Sequence, residues 1–285
     1  MNRRQTLAAI GFGMAIVAAL EAADPPQRVI SLVPAVTEMI FAMGAGSRLV
    51  GVSSYDRFPG EAARLPRVGG LLDPNIERIL ILQPDLVILY GTQVELKERL
   101  ERVGISYYPY EHRTLADITA TVRMVGARIG EAGRAGHLAS DIEKAIDTIR
   151  IRVAPLPHPR TALVFGREAS SLRNLQASGG YGFLHDALEA AGGLDAFADV
   201  KQQMVEATTE MILSRQPDVI IELRAGDKRP ADIARELEPW HALPAIPAVR
   251  SQRVYMLVGD EFLVPGPRVV DAIRQLARTL HPGFN

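Results

Sequence analysis

The chain has 285 residues, 47% of them apolar and 23% charged, which is enough to bury a sizeable core and too apolar for wholesale disorder. Its 32 basic residues nearly balance 33 acidic ones for a formal charge of −1, which argues against a broad basic field for nucleic acid. Cysteine is absent, which removes disulfides, thiolate metal sites, thiol catalysis and lipid attachment to an N-terminal cysteine.

Arg3 and Arg4 precede an uncharged run from Gln5 to Leu20, followed by Ala22, Ala23 and Asp24-Pro25-Pro26. A basic start, a short apolar stretch and small residues read as an export signal over residues 1–22. The run is short for a membrane-spanning helix. The paired arginines suit the twin-arginine route as well as ordinary Sec secretion.

Strand and helix patterns then alternate. Residues 28–33 read as a buried strand. Pro34 opens a helix with Val36, Met39, Ile40 and Met43 on one face and Gly44 as its stop. Residues 49–53 form a second strand. Asp73 is placed to N-cap a helix begun by Pro74, which must end before Pro84. A strand at 86–90, a helix at 93–102 stopped by Gly104 and a strand at 106–110 follow. From 115 to 153 no strand pattern appears. There Leu138, Ile142, Ala145, Ile146 and Ile149 recur at helical spacing. Alternation resumes with a strand at 161–165, helices at 183–191 and 209–215, strands at 219–223 and 254–257, and a last helix opened by Pro267. This is the pattern of parallel sheets covered by helices.

The strongest internal signal is a repeat. Glu77-Arg-Ile-Leu-Ile-Leu-Gln-Pro-Asp-Leu-Val-Ile88 aligns without gaps to Glu210-Met-Ile-Leu-Ser-Arg-Gln-Pro-Asp-Val-Ile-Ile221, with seven of twelve positions identical and an offset of 133 residues. The predicted fold is therefore α/β: two similar lobes with mainly parallel sheets, joined by a long connecting helix. The lobes span 27–114 and 160–285, and the helical link spans 115–155. Ligands of such folds sit at the carboxyl ends of strands and in clefts between lobes. A stiff helical connector predicts modest closure.

Signatures of catalysis are missing. There is no Gly-x-Ser-x-Gly elbow, no Walker loop and no His-Glu-x-x-His. His112, His137, His158, His185, His241 and His281 are scattered without the i, i+4 spacing of a metal pair. An exported α/β hydrolase working in the cleft is the alternative of a different class. It would need a nucleophile with an oriented base.

Several segments resemble a known family. They are Arg28-Val-Ile-Ser-Leu-Val-Pro-Ala-Val-Thr-Glu38, Gly51-Val-Ser-Ser-Tyr55, Asn75-Ile-Glu-Arg-Ile79, Gln83-Pro-Asp-Leu-Val-Ile88, Tyr181-Gly-Phe-Leu-His-Asp-Ala-Leu-Glu-Ala-Ala-Gly-Gly193 and Pro265-Gly-Pro-Arg-Val-Val270. Together they are similar to the periplasmic substrate-binding proteins of ABC importers with a rigid helical backbone, a family with vitamin B12-, siderophore- and heme-binding branches. The likeness runs from residue 27 to the C-terminus. It implies a periplasmic monomer without catalysis, resident cofactor or metal ligands of its own. Such a protein captures a large chelate and delivers it to an inner-membrane permease with its ATPase.

The resemblance also implies roles for individual residues. Glu77 and Glu210, one per lobe, would dock on basic clusters of the permease. Tyr55, the Gly70-Leu71 turn and Tyr90 would form the ligand wall of the first lobe. Phe165, Arg167, Met204, Arg224 and Phe262 would form that of the second. Aromatic and thioether groups suit a broad flat macrocycle, and arginines suit its amide or phosphate edge. Vitamin B12-binding members carry tryptophans at several of these positions, whereas Trp240 is the single tryptophan here. Heme-binding members carry a tyrosine after the Val-Gly matching Val68-Gly69, where this chain has Gly70. The expected cargo is a corrinoid first, a ferric siderophore second and heme third.

Overall fold

The computed structural model describes residues 24–284. The expected export signal lies outside the described residues. In chain order the first lobe contains β1 (Val29–Ser31), α1 (Pro34–Ala42), β2 (Leu49–Val52), α2 (Ile76–Ile81), β3 (Leu86–Tyr90), α3 (Val94–Arg102) and β4 (Ser106–Tyr110). Its four strands are all parallel, in the order β2-β1-β3-β4. Each central strand is apolar on both faces. Ile30, Leu32, Val87 and Leu89 pack toward Ile79, Leu96 and Leu100 of α2 and α3. Val29, Val33, Leu86 and Ile88 pack toward α1 and the connector. Side chains alternate between faces of a strand, so a sheet covered by helices on both sides reads as a continuous apolar run.

The connector is a helical hairpin, α4 (Leu115–Arg128) and α5 (Ala132–Val153). A capping box formed by Thr114 and Asp117 starts α4. The two helices approach closely at Gly126, where an added Cβ would lie 2.1 Å from that of Ala135. The 22 residues of α5 reach about 33 Å, long enough to run past both lobes. Its buried stripe, Ala135, Ala139, Ile142, Ile146, Ile149 and Val153, keeps the helical period.

The second lobe contains β5 (Arg160–Gly166), β6 (Leu175–Ser178), α6 (Phe183–Ala190), β7 (Leu194–Asp195), β8 (Met204–Ala207), α7 (Thr209–Arg215), β9 (Val219–Arg224), α8 (Pro230–Leu237), α9 (Pro247–Arg250), β10 (Val254–Val258) and α10 (Val269–Leu280). The sheet order is β10-β9-β5-β6-β8, with β7 also on β5. Strands β10, β9, β5 and β7 are parallel, whereas β6 runs antiparallel to β5 and β8 antiparallel to β6.

The sequence repeat is a repeat of backbone chemistry. Asn75 caps α2 by accepting from Arg78 N (2.9 Å), and Thr208 caps α7 by accepting from Met211 N (3.2 Å), again 133 positions on. Gln83 and Gln216 both adopt a left-handed φ of 46° where the helices end, and the prolines that follow cannot extend them. Asp85 N donates to Arg28 O (3.0 Å) while its carboxylate accepts from Arg28 N. Asp218 N donates to Arg160 O (2.8 Å) while its carboxylate accepts from Arg160 N. Each Gln-Pro-Asp thus pins the incoming strand to its neighbour.

One expectation is corrected. Asp73 does not cap α2, nor does Pro74 open it. Asn75 N bonds Val68 O (2.9 Å), which keeps Pro74 inside the preceding turn and leaves the cap to the Asn75 side chain.

The two lobes share one apolar core. It joins Met39 and Ile40 of α1, Val122 of α4, Ile142 of α5, Leu188 of α6, Ile221 of β9 and Ile273 of α10. Polar ties reinforce it. Arg268, just before α10, grips Glu38 of α1 through two bonds (3.0 and 2.6 Å) and also meets Glu261 (3.2 Å). Leu115 N donates to Asp186 of α6 (2.8 Å). Glu38 is only 5% exposed, and burial raises its pKa against the pull of Arg268. Replacing Arg268 with Met strands this carboxylate, so Arg268→Met is expected to cost about 3 kcal/mol in urea unfolding. A Glu38→Leu, Arg268→Met double variant should recover most of the loss.

Candidate functional site

The carboxyl ends of the parallel strands in both lobes carry the residues with unusual surroundings. After β2 the chain turns at Ser53, whose Oγ accepts from Tyr55 N (3.1 Å), while Ser54 N donates to Gly69 O (2.8 Å). Tyr55 is presented with 63% of its surface exposed. Its ring lies against the backbone at Gly70, where an added Cβ would come within 2.5 Å of the ring. Gly69 has a φ of +87° and lies so close to Asp73 O that a Cβ would meet it at 2.1 Å. Two adjacent glycines therefore let the turn fold under the tyrosine.

Gln93, only 8% exposed, fastens that turn to the sheet. Its Nε2 donates to Gly70 O and Leu71 O (3.0 Å each), and its Oε1 accepts from Tyr90 N (2.9 Å). Tyr55, Gly70, Leu71 and Tyr90 are thus held as one wall by a residue the sequence reading passed over. Only its spacing from Tyr90, at the mouth of α3, could have signalled it.

From Tyr90 a row of rings crosses to the second lobe. Tyr90 meets Tyr110 edge-on at 6.0 Å, Tyr110 stacks on His112 at 5.5 Å, and His112 meets Phe183 of α6 edge-on at 5.8 Å. There His112, Phe183 and Leu184 line a cavity of about 270 Å³ together with Phe165 of β5, Met204 of β8 and Leu263. Two of the residues expected from the sequence, Phe165 and Met204, are therefore brought together, and His112, Phe183, Leu184 and Leu263 join them.

Arg167 and Arg224 are placed differently. Glu222 of β9 is fully buried and accepts from Arg167 Nε (2.7 Å), Trp240 Nε1 (2.6 Å) and Arg224 Nη2 (2.7 Å). The side chain of Arg167 is 1% exposed and also donates to Glu236 O, so it braces the lobe from the back of the hollow that Arg224 edges. Its burial follows from the charge of Glu222, which must be compensated away from water. Arg224 keeps some exposure at the edge of a hollow of about 590 Å³, which also holds Ser170, Lys228 and Arg235. Phe262 is corrected as well. It is 1% exposed in the shared core, and its neighbour Leu263 is the residue that reaches the cavity.

Behind Tyr55 lies an electrostatic anomaly. Asp56 is 2% exposed, and neither carboxylate oxygen has a hydrogen-bond partner among the described residues; the buried Thr37 Oγ1 also lacks one. Burial pushes the Asp56 carboxyl up to about 7; Thr37 and the Ser53 backbone lie near it without closing a hydrogen bond, and they and the charge of Arg67 pull it back only in part. Tyr90 is pushed up to about 12, by burial first and by Asp56 second. Burial also lowers His112.

Glu77 and Glu210 are exposed at equivalent first-turn positions of α2 and α7. Each helix runs opposite to the strand it feeds, so both glutamates lie at the level of the strand carboxyl ends. The Glu210 carboxyl is held below its usual range by its own backbone amide and the Thr208 side chain. Among the described residues no group of three or more His, Asp or Glu is arranged to hold a metal ion, and no helix is long and apolar enough to cross a membrane.

Residues 29–260 match the family model described as periplasmic binding protein. A vitamin B12-binding protein of Pectobacterium atrosepticum is 30% identical over 268 residues, covering 90% of this chain and 88% of that protein. The crystal structure of the periplasmic vitamin B12-binding protein of Vibrio cholerae superposes with a TM-score of 0.75 at 26% identity, covering 90% of this chain and 97% of that one. A periplasmic heme-binding protein from Roseiflexus sp. RS-1 gives a TM-score of 0.74 at 26% identity, covering 89% and 97%.

A raised carboxyl makes the folded state bind more protons than the unfolded chain. Stability should therefore fall as pH climbs from about 4 to about 7 and stay low above that. Asp56→Asn should remove the Asp56 share of this fall and be about 4 kcal/mol more stable than the parent at pH 8, with near equality at pH 4. Chemical unfolding at the two pH values checks it; parallel curves for both proteins would refute the assignment.

Proposed function

Because the chain belongs to the periplasmic binding protein family, we propose that it captures a corrinoid of the vitamin B12 type in the interlobe cleft and hands it to an inner-membrane ABC permease. The supporting observation is the aromatic row from Tyr90 to Phe183, which links the Tyr55 wall of one lobe to the Phe165–Met204 wall of the other. Tyr110, 2% exposed, backs the row from the core, while the half-buried Tyr90, His112 and Phe183 and the Met204 thioether offer surfaces that suit a broad, flat, polarizable ligand through dispersion and stacking. Tyrosine and phenylalanine take the stacking role here, since Trp240 is fully buried beside Glu222. Ferric siderophores and heme are the ranked alternatives. The protein reaches the periplasm by the Sec or twin-arginine route, acts as a monomer and turns nothing over.

Titration of the mature protein with cobalamin, cobinamide, a ferric hydroxamate and hemin, followed by calorimetry, tests the cargo. Saturable one-to-one corrinoid binding is expected. Binding of the siderophore alone would overturn the choice, and hydrolysis of an ester or phosphate panel would overturn the carrier role itself. Tyr55→Ala should weaken corrinoid binding about tenfold, the loss of roughly 1.4 kcal/mol of stacking.

Docking is assigned to Glu77 and Glu210. Their shared register gives two-point registration, and exposed carboxylates steer encounter with basic partners. The double variant Glu77→Lys, Glu210→Lys should lose uptake in cells while keeping its ligand affinity; normal uptake would end the assignment.

A further inference from the structure

We propose that His112 is an axial ligand to the central metal of the chelate held in the cleft, an inference that rests on the chelate-binding reading above. His112 enters the cavity of about 270 Å³ beside Phe165, Phe183 and Met204. That volume lies just below the roughly 300–1,000 Å³ of pockets that enclose a whole drug-sized ligand, so the cavity suits one face or one axial substituent of a macrocycle. The imidazole is held between Tyr110, stacked at 25° and 5.5 Å, and Phe183, edge-on at 68° and 5.8 Å. Two aromatic neighbours restrict its rotation, and no hydrogen bond from the described residues occupies either ring nitrogen. The other buried histidines are used structurally: His185 meets Asp195 at 3.1 Å and His281 meets Ala191 O at 3.0 Å.

A ring with unoccupied nitrogens in a cavity has a donor to offer. Burial favours its neutral form, opposed in part by Asp117, and neutral imidazole is the form that binds cobalt or iron. No other side chain lining this cavity is titratable. The step is a ligand exchange. The bond from the metal to an axial water breaks, the nitrogen lone pair of His112 forms the new bond, and the water leaves to solvent. The metal keeps its oxidation state and no proton moves.

Cobinamide, which carries exchangeable axial sites, is the probe, with hemin as a second. Bound to the parent protein, cobinamide should shift its visible bands from those of the aqua form to those of an imidazole adduct. His112→Ala and His112→Gln should still bind by calorimetry, up to about tenfold more weakly, yet retain the aqua spectrum. Free imidazole should restore the shift in His112→Ala. Met204→Leu, which removes the cavity's thioether and is expected to weaken binding, should show the parent spectrum once saturated. An aqua spectrum in the parent complex, a shift that survives in both His112 variants, or a shift lost only in Met204→Leu overturns the ligation while leaving the carrier function intact. Failure of the parent to bind any chelate in calorimetry overturns both.

Discussion

The apolar core shared between the lobes is the constraint from which the rest of the molecule follows. In a protein whose lobes each closed on a private core, the seam would be a thin polar contact and relative motion the default. Here Met39 and Ile40 from one side and Leu188, Ile221 and Ile273 from the other pack in one cluster with Ile142 of α5. Opening the cleft widely would expose that cluster to water at about 25 cal/mol per Å² of apolar surface. The Arg268–Glu38 tie adds a charge pair that cannot be broken without stranding a carboxylate at 5% exposure. A cleft on such a frame is largely preformed, which reduces the ordering cost that a flexible site would pay on binding.

The two lobes are built around one repeated unit, and their differences lie beyond it. Both lobes use the same sequence of devices: a polar N-cap, a short helix, a left-handed glutamine, a proline and an aspartate that clamps the first strand. Beyond that unit they diverge. The first lobe stays wholly parallel, and its loop after β2 folds under Tyr55. The second inserts the antiparallel strands β6 and β8, and Met204, which begins β8, reaches the cavity through that insertion. Glu222 sits where the first lobe has Leu89, an apolar core residue of β3. Its charge brought Arg167, Arg224 and Trp240 around it.

The fold was legible where local chemistry decides it. The Gln-Pro-Asp copies, the stripe of α5 and the limits of α7 are written in nearest-neighbour terms, and the structure matches them. Strands β6 and β8 and helices α8 and α9 were not read, because Leu175–Ser178 and Met204–Ala207 are short and depend on pairing with distant partners. At the candidate site, Tyr55 and Gly70 sit together as expected, but Gln93 and His112 act through contacts that spacing cannot reveal. His112 and Phe183 are 71 positions apart and touch only because α4 docks on α6. Arg167 and Phe262 show what residue type leaves out: both suggest a ligand group, and burial, which sequence does not display, sets them in the frame behind the cavities.

A preformed cleft raises the question of release. A protein that closes around its cargo can let go by reopening, but a rigid frame has little such motion to give. On the carrier reading proposed above, the force would come from outside, applied where the lobes can be levered against their common core. Glu77 and Glu210 stand at the ends of short helices whose far ends run, through the glutamine turns, directly into β3 and β9. A permease holding both carboxylates would grip the two strands whose carboxyl ends carry Tyr90 and Arg224. Small separations imposed there would be transmitted along paired strands to the ligand walls, because packed sheets and helices move as units and not as deformable continua. With Glu77 and Glu210 as the proposed docking points, stiffness would serve capture and transfer alike: it would keep the site ready for cargo and couple those points to the proposed ligand walls.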